Sequence, residues 1–163
     1  MYLRGLAIRR PRFEVIFLEL GDWFLLLFTG DRNLDGIMDR WVHYDERGEI
    51  NTSAYDNNFD GKADEFWTFS DDGNTVQSDT DFNGIPDEFS TYKHEIIQQV
   101  DFRPNGSKFT TTREIFQNGV LTEIWRGGDS EGHFKEVVRY DPFFNPVSTI
   151  ISTEFKLLTP VSH

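Results

Sequence analysis

The chain contains no cysteine. Disulfide frameworks, thiolate metal centres, cysteine nucleophiles and lipidated-cysteine anchors are thereby excluded. Basic residues are few beside acidic ones, 16 against 28, which leaves a net charge of −12 and a pI near 4.6. A phosphate backbone selects clustered Lys and Arg, so this balance argues against a nucleic-acid partner. The apolar stretches Val15 to Leu18 and Trp23 to Phe28 are too short, and too interrupted by Glu14, Glu19 and Asp22, for an ordinary spanning helix. Gly-x-Ser-x-Gly, His-Glu-x-x-His, a Gly-rich phosphate loop and the dinucleotide fingerprint are all missing, so the expectation is a protein that is not an enzyme. His43, His94, His133 and His163 show no ligand spacing, which disfavours a transition metal.

What is present is apolar enough to fold. Of 163 residues 37% are hydrophobic and sixteen are Phe, which suits one ordinary domain or two very small ones. The charge is not evenly spread. Residues 1–30 hold four Arg against three acids, residues 102–163 hold seven of each sign, and residues 31–101 hold eighteen acids against five bases. Three regions follow: an apolar segment at 1–30, an acidic region at 31–101, and a C-terminal part at 102–163. Like charge so concentrated repels itself unless a cation is bound there.

Internal repetition explains the acidity. Asp31-Arg-Asn-Leu-Asp-Gly-Ile-Met-Asp39, Asp56-Asn-Asn-Phe-Asp-Gly-Lys-Ala-Asp64 and Asp79-Thr-Asp-Phe-Asn-Gly-Ile-Pro-Asp87 align without gaps as D-x-[ND]-x-[DN]-G-x-x-D. Aromatics recur beyond them, with Trp41, Phe66 and Phe89 two residues on and Tyr44, Phe69 and Tyr92 five residues on. A further segment, Asp101-Phe-Arg-Pro-Asn-Gly106, reads as a decayed fourth copy, with Arg103 at its third position and Phe109 at its ninth.

Such a loop suits Ca²⁺, which takes six to eight oxygens; alternate residues of a tight turn aim side chains inward, and Gly at position 6 permits the turn. The expected ligands are Asp31, Asn33, Asp35, the Ile37 carbonyl and Asp39; Asp56, Asn58, Asp60, the Lys62 carbonyl and Asp64; and Asp79, Asp81, Asn83, the Ile85 carbonyl and Asp87. Up to three Ca²⁺ are expected. Asp, Asn and Gly are also ordinary turn residues, but turn chemistry alone does not require Asp at the ninth position. Mg²⁺ is a weaker candidate because it demands near-octahedral geometry.

The loop resembles that of EF-hands, yet position 12, where an EF-hand needs Glu, is Val42, Trp67 and Ser90, and the flanks are aromatic and β-branched. It is more similar to the FG-GAP loops of integrin-like propellers, in which the ninth Asp runs straight into a strand. A propeller itself is disfavoured, since its blades need about twice this spacing. Between the loops, Tyr44-Asp-Glu-Arg-Gly-Glu-Ile50 and Tyr140-Asp-Pro-Phe-Phe-Asn-Pro146 resemble bacterial YD or MORN-like hairpin repeats. The spacing of turns predicts an all-β antiparallel meander of ten to twelve short strands, a curled sheet or barrel-like, with calcium loops at alternate turns.

Residues 1–30 admit two readings: a leader-like segment, or strands at about 12–20 and 23–29 joined at Gly21-Asp22. Membrane association is expected only through that segment. Trp41, Phe66, Trp67 and Phe89 are expected in the core, the alternative being a stripe for a protein or glycan ligand. The functional expectation is a calcium-stabilised, non-enzymatic binding or structural module located extracellularly, in the periplasm or at the cell surface. The alternative is a cytoplasmic, MORN-like interaction module, antitoxin-like, whose turns hold no metal.

Overall fold

The computed structural model describes residues 4–10, 13–20 and 23–152. The chain divides into two compact units, residues 1–71 and 72–163. The first contains β1 (Arg4–Arg10), β2 (Phe13–Leu20), β3 (Trp23–Gly30), β4 (Arg40–Tyr44), β5 (Ile50–Tyr55) and β6 (Glu65–Thr68). The second contains β7 (Asn74–Ser78), β8 (Glu88–Lys93), β9 (Ile96–Phe102), β10 (Thr112–Gln117), β11 (Val120–Arg126), β12 (Glu136–Tyr140) and β13 (Pro146–Ile151). Within each unit every strand pairs antiparallel with its sequence neighbours, and among the described residues no pairing closes either unit into a barrel. The fold is an all-β antiparallel meander. Residues 13–20 and 23–30 form the strand pair that one reading of the N-terminal segment expects, preceded by β1, which that reading did not foresee. The turn at 21–22 lies outside the described residues.

Tight turns carry the same device repeatedly. Asp45, Asp129 and Asp141 each accept, through one carboxylate oxygen, the N–H groups two and four residues on, while a residue with positive φ (Gly48, Gly132, Phe144) reverses the chain. The hairpins β4–β5, β8–β9, β10–β11 and β12–β13 each slip register beside an aromatic, at Tyr44, Tyr92, Phe116 and Tyr140. A bulge bends its strand and increases the local twist.

Alternation then builds two faces. In the first unit Phe28, Val42, Ser53 and Trp67 lie opposite one another across β3 to β6, and Val42 is fully buried. In the second, Val76, Ser90, Val100, Glu114, Ile124 and Val138 form one row, and Phe89, Asp101, Arg113, Trp125 and Val137 form a row on the opposite face. Trp125 packs edge-on against Phe134 at 5.6 Å between ring centroids, with Val137 beside them. Glu114, set in the apolar row, has its pKa raised by burial, a shift that Arg126 opposes.

Candidate metal loops

Each acidic repeat spans one reversal at the same end of its unit's sheet. The ninth Asp closes the reversal by donating its N–H to the residue before position 1: Asp39 to Gly30 at 2.9 Å, Asp64 to Tyr55 at 2.8 Å, Asp87 to Ser78 at 2.9 Å. Inside, the three loops share one backbone. Position 4 has positive φ, at 67° for Leu34, 61° for Phe59 and 58° for Phe82, and position 6 follows at 93°, 90° and 91° for Gly36, Gly61 and Gly84. A left-handed Leu or Phe is uncommon, so three recurrences mark one loop built three times.

The side chains expected as ligands stitch this shape. The first Asp accepts from the position-6 glycine, Gly36 to Asp31 at 3.0 Å, Gly61 to Asp56 at 2.8 Å and Gly84 to Asp79 at 2.6 Å. Asn33, Asn58 and Asp81 accept from the N–H of position 5, and Asp35, Asp60 and Asn83 from that of position 7. The ninth Asp accepts from position 2: Arg32 N–H to Asp39 at 2.8 Å, Asn57 to Asp64 at 2.8 Å, Thr80 to Asp87 at 2.9 Å. Asp31, Asp39, Asp56, Asp64 and Asp79 are all buried, Asp56 to 1% exposure, while positions 3 and 5 face solvent apart from half-buried Asn58.

The ninth carboxylate distinguishes the loops. Asp39 gives its Oδ1 to the Arg32 guanidinium, Nε to oxygen 3.0 Å. Asp87 takes the Thr80 hydroxyl at 2.9 Å. Among the described residues Asp64 accepts only backbone N–H groups, through Oδ2, and its Oδ1 has no partner. Loop 56–64 therefore holds two buried carboxylates whose donors, among the described residues, are all backbone N–H groups. Its all-oxygen donor set fits a hard divalent cation. Among the described residues, however, no three Asp, Glu or His side chains stand arranged to hold an ion; the carboxylates are turned onto their own loops' amides.

The ladder corrects the phase of the fourth copy. Thr111 N–H donates to Phe102 O at 2.9 Å, nine residues apart like the other closures, so Arg103 occupies position 1 and Thr111 position 9. Asp101 is the penultimate residue of β9, directly opposite Arg113, whose Nε and Nη2 reach its two oxygens at 2.6 and 2.8 Å. A fifth loop follows, closed by Lys135 N–H to Arg126 O at 2.9 Å. It reads Gly127-Gly-Asp129-Ser-Glu131-Gly132-His-Phe-Lys135 and keeps Gly at position 6, with φ 82°. Sequence reading missed it, although position 1 then recurs at 31, 56, 79, 103 and 127 with nearly even spacing. Loss of Asp from both ends of the loop hid the match. His133 Nδ1 there lies 3.5 Å from Asp129 and from Glu131. Backbone N–H bonds from His133 and Glu131, with the imidazole beside them, hold the Asp129 pKa below its ordinary value.

The aromatics expected in the core are not enclosed by it. Phe66 is 42% exposed and Trp41, Trp67 and Phe89 are half-buried. Trp67 stacks on Phe69 at 5.8 Å, and Phe89 lies under the Arg103 guanidinium at 4.2 Å. Beside loop 56–64, Trp41, His43, Thr52, Ala54, Phe66 and Thr68 line an open depression of about 500 Å³. Among the described residues no helix is long and apolar enough to cross a membrane. Comparison with protein-family models, curated proteins and solved structures finds no match to this chain.

Proposed function

We propose that this chain is a calcium-stabilised β-repeat module, non-enzymatic, that binds a protein or glycan, or serves a structural role, outside the cytosol. The observation that carries the reading is loop 56–64, where Asp56 and Asp64 are buried at 1% and 4% exposure with no cationic side chain among the described residues on either carboxylate. A divalent ion would balance that charge, with Asn58, Asp60 and the Lys62 carbonyl completing an oxygen shell. The same set recurs at Asp79, Asp81, Asn83, Ile85 and Asp87, and at Asp31, Asn33, Asp35, Ile37 and Asp39. With three carboxylates and no bidentate Glu, such loops should bind with Kd of about 10⁻⁴ to 10⁻³ M, a range filled in extracellular fluid and empty in the cytosol. The exposed Phe66 and half-buried Trp41 beside loop 56–64 offer the contact surface.

The hydrogen bonding also favours a second reading. Each loop already bonds the amides of its positions 2, 5, 6 and 7 internally, which suits metal-free turns in a cytoplasmic, MORN-like interaction module. Thermal melts decide between the two. At ten times Kd each filled loop adds about 1.4 kcal/mol, several degrees in Tm for a small unit. Equal melts in excess calcium and in chelator, with no divalent ion retained in native mass spectrometry, would favour the metal-free module.

A further inference from the structure

We propose that the acidic loops are not equivalent: calcium enters loops 56–64 and 79–87 first, and loop 31–39 is held shut by Arg32, an internal cation that the metal must displace. This rests on the calcium reading above. Arg32 sits at position 2, where the other loops have Asn57 and Thr80. Its Nε is 3.0 Å from Asp39 Oδ1, the ninth-position oxygen that Asp64 leaves open. Its Nη2 donates to the Asp56 carbonyl and reaches Asn57 Oδ1 at 3.4 Å. The guanidinium also lies over the Phe59 ring, 5.3 Å from its centre, and 5.8 Å from that of Tyr55. Five contacts on different groups hold the cation in place, so a Ca²⁺ in loop 31–39 meets a neutralised carboxylate and a like charge beside it.

The second unit shows the same substitution carried further. Loop 103–111 has Arg103 itself at position 1. In loop 127–135 position 1 is Gly127, and a Cβ there would come within 3.1 Å of the Lys135 side chain, so the position-9 lysine packs where a first-position Asp would begin. Among the five loops, those at 31–39, 103–111 and 127–135 thus carry their own cation, and those at 56–64 and 79–87 have none at the corresponding places.

The test is a calcium titration of the ¹⁵N-labelled full chain by NMR. The amides of Gly36, Gly61 and Gly84 report one loop each, because each donates to its own first-position Asp. Gly61 and Gly84 should shift at calcium concentrations about tenfold below Gly36, given one half-exposed guanidinium as competitor. Arg32→Asn should bring the Gly36 midpoint down to that of Gly84, whose loop Arg32 does not touch and whose midpoint should stay in place. Three coincident midpoints in the unmodified chain would overturn the proposal while sparing the calcium reading, as would an unmoved Gly36 in folded Arg32→Asn. No shift at any of the three up to about 10 mM calcium would sink both.

Discussion

Replacing Arg113 by Met should destabilise the second unit by about 2–3 kcal/mol. The magnitude follows from what surrounds Asp101, which is 5% exposed. Arg113 supplies both of its strong contacts, at 2.6 and 2.8 Å. Breaking a buried ion pair by removing one partner costs about 3–5 kcal/mol, because a desolvated charge is left behind. Here the loss is smaller. Gln99 and Thr110 still donate to the carboxylate at 3.1 Å each, and the Arg103 guanidinium, 3.9 Å away, can move closer. Met keeps the stem's packing toward Phe134, whose ring lies 5.5 Å beneath the guanidinium. Urea unfolding followed by circular dichroism would measure the loss. The companion double variant, Arg113→Met with Asp101→Asn, removes both charges together and should recover at least half of it. A cost below about 0.5 kcal/mol for the single variant, or a double variant as unstable as the sum of the two singles, would refute the view that this pair is a buried charge and its counter-ion.

Glu114→Gln should raise the melting temperature at pH 7 and confer little near pH 4: burial lifts the Glu114 pKa, so its ionised form opposes folding, and stability is full below the ordinary value and falls as pH rises through the folded one. Melts across that range that keep a constant difference would contradict this. Leu34→Gly should stabilise by about 1 kcal/mol, since Leu34 is 55% exposed at φ 67° and glycine relieves the left-handed strain; a lower Tm would show that the side chain makes a contact worth more. Ser53→Ala, which removes a buried hydroxyl without a partner, should be neutral or stabilising by about 1 kcal/mol in urea melts, and a clear loss of stability would point to a bond the hydroxyl makes in solution.

The local code was legible in the sequence. A nine-residue D-x-[ND]-x-[DN]-G-x-x-D segment can form only a few hydrogen-bonded shapes, since Asx side chains bond their own backbone two residues on and position 6 needs positive φ. Its repetition therefore announced one loop three times, and the turn spacing announced an antiparallel meander. The Tyr-Asp turns at Tyr44 and Tyr140 were readable for the same reason. Contacts that depend on which strands lie side by side were not readable. Asp101 looked like the first residue of a decayed loop until strand register placed it opposite Arg113, twelve residues away, and moved position 1 to Arg103. Lys135 had no assigned place in the repeat until hairpin closure set it at position 9. The aromatics recurred at fixed positions of the repeat and were expected in the core, but recurrence states only which side chains share a place on a strand; whether a face is covered depends on what packs on it, which a one-dimensional pattern does not contain. Arg32 shows the difference most directly. Its position in the repeat was plain from sequence, and its role as a counter-ion to Asp39 exists only because the next loop, 25 residues on, stands beside it and fixes the guanidinium from the other side.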